Sequence, residues 1–237
     1  MVLNVEALLR SLPRPIALPM DKKTFSFTIP TSAICVAPND IQSVKNALKE
    51  HALLLDLPKI KPIIRDPADA RLFILLNDVY AKEEIPIENS VVHEYNLSID
   101  YSYWTVAQII DAILPPDLDR ITAFETIGHI AHLNLTEAHM PYANEIGQVI
   151  LDKNPSLSVV VTKLGEIDHE FRFFKMNVIA GSPSNLVTTV SESDCRFTLD
   201  YSQVYWNSRL AHEHQRLVTS VFKSGELICT TFLLFNR

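Results

Sequence analysis

The chain has 237 residues, enough for one large or two modest domains, and its 47% hydrophobic and 21% charged residues are typical of a globular protein. A net charge of -7 argues against indiscriminate nucleic-acid binding. The chain has only five glycines but fourteen prolines, which argues against a glycine-rich phosphate-binding loop.

The charge is unevenly distributed, because residues 1–152 carry a net charge of -8 and residues 153–223 a net charge of +1. A nucleic-acid partner would therefore be met mainly by the second part. Cys35, Cys195 and Cys229 are odd in number and widely spaced, which indicates a reducing compartment. No apolar run is long enough for a membrane span, so we expect no membrane association, and we expect a monomer.

In the first half, the proline spacing of residues 1–20 predicts an extended tail, followed by an α+β domain over 21–118. Alternating or apolar runs predict two strands separated by Pro30 and three later ones: "TFSFTIP", "SAICVAP", "KIKPIIRD", "ARLFILLND" and "SVVHEYNLSIDY". Helical spacing and proline stops predict helices within 39–55 and 104–116.

A second α+β domain is predicted over 119–206, with a helix within 140–154. The predicted strands of this domain are "AFETIGHIAHLNL", "SLSVVVTKL", "FRFFKMNVIAG" and "CRFTLDYSQVYW". Asn207 or Ser208 then caps a helix whose predicted core stripe comprises Leu210, Leu217, Val218, Val221 and Phe222, and "GELICTTFLLF" is predicted to form a final strand.

Three histidines, His129, His132 and His139, suggest a metal site by their number. An HxxH spacing on a strand places two rings on opposite faces, however, and no cysteine or carboxylate completes a zinc set. We therefore interpret them as packing or surface residues and predict no metal. The sequence has no G-x-S-x-G nucleophile elbow and no P-loop.

The stretch "VYWNSRLAHEHQR" (204–216) is crowded with polar groups. On a helix, Glu213 shares a face with Arg209 four residues before it and with Arg216 three residues after it. Taken alone, this pattern is typical of a solvated charge ladder.

Several long blocks together resemble the eukaryotic and archaeal tRNA (guanine-37 N1)-methyltransferases. They are "FETIGHIAHLNL" (124–135), "PYANEIGQVILDKNP" (141–155), "VVVTKLGEID" (159–168), "FRFFKMNVIAG" (171–181) and "FTLDYSQVYWNSRLAHEHQR" (197–216). The related wybutosine-pathway aminocarboxypropyl transferases share the architecture, but "GHIAHLNL" followed by "IGQVILDKNP" is more similar to the methyltransferases.

The resemblance implies an S-adenosylmethionine-dependent enzyme that methylates the guanine beside the anticodon of tRNA. Matched positions imply that Glu213 is the general base, that Arg172 contacts the target guanine and that Tyr205 lies in the active site. Arg209 and Asn207 fall in the same block as tRNA-binding candidates. The chemistry fits, because guanine N1 must lose a proton, charge develops on O6, and the base has to be swung out.

The implied fold is an α+β N-terminal and middle domain leading, at 207–237, into the first helix and strand of an incomplete class I (Rossmann-like α/β) methyltransferase domain. Thr162 stands where the family commonly has asparagine, and "TTFLLFNR" stands where the donor-binding loop is expected. We therefore expect a C-terminally truncated chain that does not bind the donor alone.

Two alternatives remain: a catalytically inactive tRNA-binding fragment and an aminocarboxypropyl transferase. The expected location is one or more of the cytoplasm, the nucleus and the mitochondrial matrix.

Overall fold

The computed structural model describes residues 5–65, 71–80, 85, 87, 90–121, 123–164, 175–192, 194–204 and 206–225. The chain divides into two compact units, Met1–Gln108 (unit 1) and Ile109–Arg237 (unit 2). The sequence predicted a boundary between its two α+β domains at residues 118 and 119, because the whole helix predicted within 104–116 was assigned to the first of them. Both units combine helices with a four-stranded sheet, in agreement with the predicted α+β class.

Unit 1 begins with a short helix, α1 (Val5–Arg10), where the sequence predicted an extended tail. The prediction was wrong for this stretch because it weighed the prolines that follow and not the apolar pair one turn apart. Val5 and Leu9 are both buried, and an i,i+4 spacing puts them on one helix face.

The sheet of unit 1 is antiparallel with the strand order β2-β3-β1-β4. Its strands are β1 (Phe27–Val36), β2 (Ile63–Arg65), β3 (Leu72–Leu75) and β4 (Val91–Ile99). Two helices accompany them, α2 (Ile41–Glu50) and α3 (Val106–Ile113), the latter crossing the boundary between the units. Leu48 of α2 packs into a core with Ile34 and Ile74 of the sheet.

Pro30 lies inside β1, although the sequence predicted that it would separate two strands. In this part of β1, Pro30 pairs with Asn96 of β4, whereas β3 pairs only with residues 33–36. A proline without an N–H is tolerated where a strand has a neighbouring strand on one side only. The two predicted strands are therefore one.

Unit 2 contains a mixed sheet with the order β5-β6-β7-β8. Its strands are β5 (Glu125–Ile127), β6 (Ile130–Leu133), β7 (Val159–Leu164) and β8 (Lys175–Gly181). β6 and β7 are parallel, so a crossover must join them, and helix α4 (Ala143–Lys153) provides it after a 3-10 turn, Glu137–Tyr142. The single strand predicted over 123–135 is the hairpin β5-β6, which turns at Gly128 with φ +57°.

One face of this sheet packs against a hairpin formed by β9 (Val187–Glu192) and β10 (Cys195–Asp200). The buried cluster contains Ile127, Ile130, Val159 and Val161 from the sheet and Leu199 and Tyr201 from the end of the hairpin. The predicted final strand, 225–235, lies outside the described residues apart from Gly225, and of the predicted start of a class I domain, 207–237, the structure describes residues 207–225. Over the part of the chain that is described, no helix is long and apolar enough to cross a membrane.

Gly181 ends β8 with φ +87°, and a Cβ there would lie 2.2 Å from the Ser158 carbonyl oxygen and 2.9 Å from Val159 Cα. We expect Gly181→Ala to lower the free energy of unfolding by about 2 kcal/mol or more, because both the backbone conformation and the space resist a side chain. Urea unfolding measures the change.

Gly225 is the matched control, since it has φ +89° but no atom of the described part of the chain within 4 Å of the point where a Cβ would lie. Gly225→Ala should cost no more than about 1 kcal/mol. Equal effects at the two positions would show that the close approach to Ser158 does not matter.

Candidate functional site

The polar stretch recognised in the sequence starts a helical segment in unit 2. A 3-10 turn (Ser208–Leu210) leads into helix α5 (Ala211–Arg216) and then into one π-helical turn (Leu217–Val221). Asn207 is the N-cap, and its Oδ1 accepts a hydrogen bond from the Arg209 N–H at 3.1 Å. The predicted cap at this position is confirmed.

The predicted core stripe of the segment is wrong for three of its members. Leu210, Val218 and Val221 are 41%, 66% and 43% exposed. Only Leu217 and Phe222 are half-buried. The apolar spacing is helical, as predicted, but the described residues do not cover that face.

Two carboxylates from the sheets hold the segment in place. Arg209 Nη2 lies 3.0 Å from Glu125 Oε1 of β5, and His214 Nδ1 lies 2.6 Å from Glu192 Oε1 at the end of β9. The first pair is largely exposed and contributes at most about 1 kcal/mol. The Glu192 side chain is only 10% exposed, so the second pair is the better shielded.

A cavity of about 390 Å³ lies beside the start of the helical segment. Its walls come from β5 and its turn, from the end of β9 and from the start of the helical segment: Thr126, Gly128, residues 189–192, Trp206, Ser208 and Ala211. A cavity of this size accommodates a small ligand. Its lining combines several hydroxyls, one carboxylate and one indole ring.

Glu213, the general base implied by the resemblance, is on the exposed surface of α5 and does not line this cavity. Arg216 donates two hydrogen bonds to it, from Nε at 2.8 Å and from Nη2 at 2.6 Å. These bonds lower the pKa of the Glu213 carboxyl below its usual value. Glu213 is therefore held ionised, and Arg209 pairs with Glu125 instead of with Glu213.

Arg172 and Tyr205, the other two catalytic candidates, lie outside the described residues, and their roles stay predictions. Thr162, which stands where the family commonly has asparagine, is fully buried in β7. Its hydroxyl accepts a hydrogen bond from the Leu135 N–H at 3.2 Å. Through that hydrogen bond Thr162 fixes the chain just after the end of β6, where β6 and β7 are paired.

The three histidines considered for a metal site have separate surroundings. His129 contacts the Asn185 carbonyl and Thr188, His139 contacts Thr136 and the Asp119 carbonyl, and His132 contacts Tyr201. No group of three or more metal-ligating side chains occurs within the described ranges.

Sequence reasoning missed Glu125 and Glu192, the two carboxylates that anchor the segment. Glu192 is 22 residues from His214, and Glu125 lies in a different sheet strand from Glu192. No local spacing connects these residues, since only the tertiary fold brings them together. A carboxylate at a strand end is the only sequence signal, and it is too common to select them.

Comparison with known proteins finds proteins that are similar to this chain in sequence and in fold. Residues 106–184 match a family model described as the TYW2 N-terminal domain. A tRNA (guanine(37)-N(1))-methyltransferase of Coprinopsis cinerea is 40% identical over 223 residues, which are 90% of this chain and 48% of that protein. The enzyme of the same name from Schizosaccharomyces pombe is 38% identical over 228 residues, or 91% of this chain and 51% of its own length.

The chain is similar in sequence to these proteins named tRNA (guanine(37)-N(1))-methyltransferase. It spans about half the length of the curated relatives that it matches. A solved structure described as the complex of aTrm5 and tRNALeu is 20% identical and superposes with a TM-score of 0.61, covering 81% of this chain and 57% of that one. This similarity shows that the fold is shared.

His132 is 5% exposed, its Nδ1 lies 3.1 Å from the Tyr201 hydroxyl, and its Nε2 has no hydrogen-bond partner within the described part. Burial, helped by the charge of Lys163 and opposed by Glu125, lowers the pKa of His132 from 6.5 to about 4. In the unfolded chain this imidazole takes up a proton below about pH 6.5, and in the folded protein only below about pH 4.

We therefore expect the stability that depends on neutral His132 to be complete above pH 6.5 and to be lost as the pH falls to 4. We expect the free energy of unfolding to fall by about 3 kcal/mol over this range, and urea unfolding at a series of pH values measures the fall. His132→Asn should flatten the pH dependence, and His51→Asn, at an exposed position of unit 1, should leave it unchanged. An unaltered slope in His132→Asn would contradict the assignment.

Proposed function

We propose that this chain is part of a tRNA (guanine(37)-N1)-methyltransferase, which transfers a methyl group to N1 of the guanine 3′ of the anticodon. The observation that carries the proposal is the 40% identity to a protein of that name over 90% of this chain. The aminocarboxypropyl transferase alternative is not favoured, because both curated relatives carry the methyltransferase name.

S-adenosylmethionine is the proposed methyl donor, on the strength of the family resemblance. The described residues do not fit it, since a class I donor site needs a glycine-bearing loop between a strand and a helix. Gly128 turns a hairpin, Gly147 lies within α4, Gly181 ends β8, and Gly225 follows the helical segment at the last described position. We therefore assign only the RNA side of the reaction to the described part.

For binding of the RNA substrate, the helical segment contains several polar side chains that suit a guanine nucleotide. Glu213 is the proposed general base, and Arg209 and Asn207 are the proposed RNA contacts, with Arg172 and Tyr205 completing the site. Arg209 remains 81% exposed despite its contact with Glu125, so its guanidinium is accessible to a phosphate. tRNA is the proposed partner.

The hydrogen bonds from Arg216 constrain how Glu213 acts. A carboxylate with a lowered pKa is a weaker base, so Arg216 opposes proton abstraction as long as both bonds persist. Since both side chains are about half exposed, the incoming RNA can displace the Arg216 guanidinium toward a phosphate. Glu213 then becomes available to the guanine N1 proton.

The experiment is a transfer assay with methyl-labelled S-adenosylmethionine and an unmodified tRNA transcript, paired with a transcript whose guanine 37 is replaced by adenine. When the chain is assayed as part of a protein that also carries a donor-binding domain, label at N1 of guanine 37 in the first transcript only is the expected result. Absence of both label and tRNA binding in a gel shift would overturn the proposal. Binding without label would support the tRNA-binding fragment instead.

Within this assay, we expect Glu213→Gln to lower turnover by about a hundredfold or more, because a general base contributes on that scale. tRNA binding in the gel shift should be retained. Glu137→Gln, at an exposed position outside the segment, is the matched control and should leave both measurements unchanged. A Glu213→Gln rate equal to wild type would remove Glu213 from the role of base.

A further inference from the structure

Helix α5 carries Glu213, and few contacts hold this helix in place. It is only six residues long, and Leu210 before it and Val218 after it are exposed, so burial of apolar side chains contributes little to its position. Over the part of the chain that the structure describes, one hydrogen bond joins α5 to a β-strand. It is the bond between His214 and Glu192 at the end of β9.

The contact between His214 and Glu192 is short and shielded. Glu192 Oε1 lies 2.6 Å from His214 Nδ1, and the Glu192 side chain is 10% exposed, whereas that of Glu125 in the other ion pair is 38% exposed. Because an ionised carboxylate only accepts hydrogen bonds, the imidazole donates from Nδ1–H. A hydrogen bond to a charged group is strong and directional, so this one fixes the side of α5 that faces β9.

Glu213 has no such bond to a strand within the described residues. Its two hydrogen bonds come from Arg216, which belongs to the same helix and moves with it. Consecutive residues of an α-helix lie about 100° apart around its axis. The direction of the Glu213 side chain is therefore set once the neighbouring His214 is held.

The position of a general base affects the rate of a reaction more than the binding of its substrate. The base must come within about 3 Å of the group whose proton it takes, and a displacement of about 1 Å can cost about a hundredfold in rate. Asn207 and Arg209 precede α5 and have contacts of their own. A rotated α5 would therefore keep the proposed RNA contacts and lose proton abstraction.

We propose that Glu192 is a positioning residue for the methyl transfer: it holds His214 and thereby fixes the turn of α5 that presents Glu213 to the guanine. In this arrangement Glu213 accepts the N1 proton, and Glu192 acts only through the helix. The inference rests on the proposed function, because it concerns the geometry of the base proposed there.

Single-turnover methyl transfer at saturating tRNA and donor tests the proposal, with the chain again assayed as part of a protein that carries a donor-binding domain. We expect Glu192→Ala to lower the rate constant about tenfold or more. The dissociation constant for tRNA in a gel shift should stay unchanged. A weaker tRNA complex with an unchanged rate constant would overturn the proposal, because Glu192 would then act in binding.

A conservative substitution separates the hydrogen bond from the bulk of the side chain. Glu192→Gln keeps an oxygen that accepts from His214 Nδ1–H, so its rate constant should lie within about threefold of wild type. Glu137→Ala, at an exposed position outside the helical segment, is the matched control and should keep wild-type values. Equal losses of rate in Glu192→Ala and Glu192→Gln would contradict the proposal.

A double variant distinguishes positioning of the base from general damage to the fold. If Glu192 acts through Glu213, adding Glu192→Ala to Glu213→Gln should lower the rate by no more than about twofold further. Losses that multiply in the double variant would show that Glu192 acts independently of the base.

The failure of this inference and the failure of the proposed function give different results. No transfer by the unaltered protein would overturn the proposed function and this inference with it. Transfer to guanine 37 at the same rate in Glu192→Ala as in wild type would keep the proposed function and overturn this inference alone.

Discussion

The sheet of unit 2 has two apolar faces, and the covering of each face governs the rest of the unit. Helix α4 packs against one face, with Gly147 allowing its backbone to approach Ala180 of β8. The β9-β10 hairpin covers the other face through Leu199 and Tyr201. Burial of apolar surface thus holds the hairpin, from which the chain continues into the helical segment.

Polar contacts then define the position of the helical segment more finely. Trp206 packs against the buried cluster, and Glu125 and Glu192 bind the two ends of the segment. Exposed ion pairs are weak, so these contacts choose among orientations of a segment that apolar packing already holds. The cavity is the space that this arrangement leaves between strand ends and helix.

Periodicity predicted the elements of this fold well where one face is buried. The strand β7 and the cap at Asn207 were both predicted from the sequence and are present in the structure. The strand break at Pro30 and the extended tail at α1 were predicted wrongly, because the effect of a proline on secondary structure depends on the strands and turns beside it. A sequence pattern does not contain those neighbours.

The candidate site was predictable only in part, since the resemblance points to Glu213 but no pattern points to Glu192. Its pairing with His214 depends on how a hairpin end meets a helix, which only tertiary structure determines. The apolar stripe that includes Val218 was predicted to be buried, but Leu210, Val218 and Val221 are exposed. Helical spacing predicts which residues share a face, and it does not predict which element packs against that face.

The shared carboxylate of Glu125 affects how substitutions in this region are to be interpreted. Glu125 binds the Arg209 guanidinium and also lies opposite His132 in the β5-β6 pair. Its negative charge raises the pKa of His132 and so partly offsets the effect of burial. Replacing Arg209 therefore removes an RNA-accessible cation and also leaves the negative charge of Glu125 unbalanced beside the core. A weakened tRNA complex in such a variant would report two changes at once, and only a paired change at Glu125 separates them.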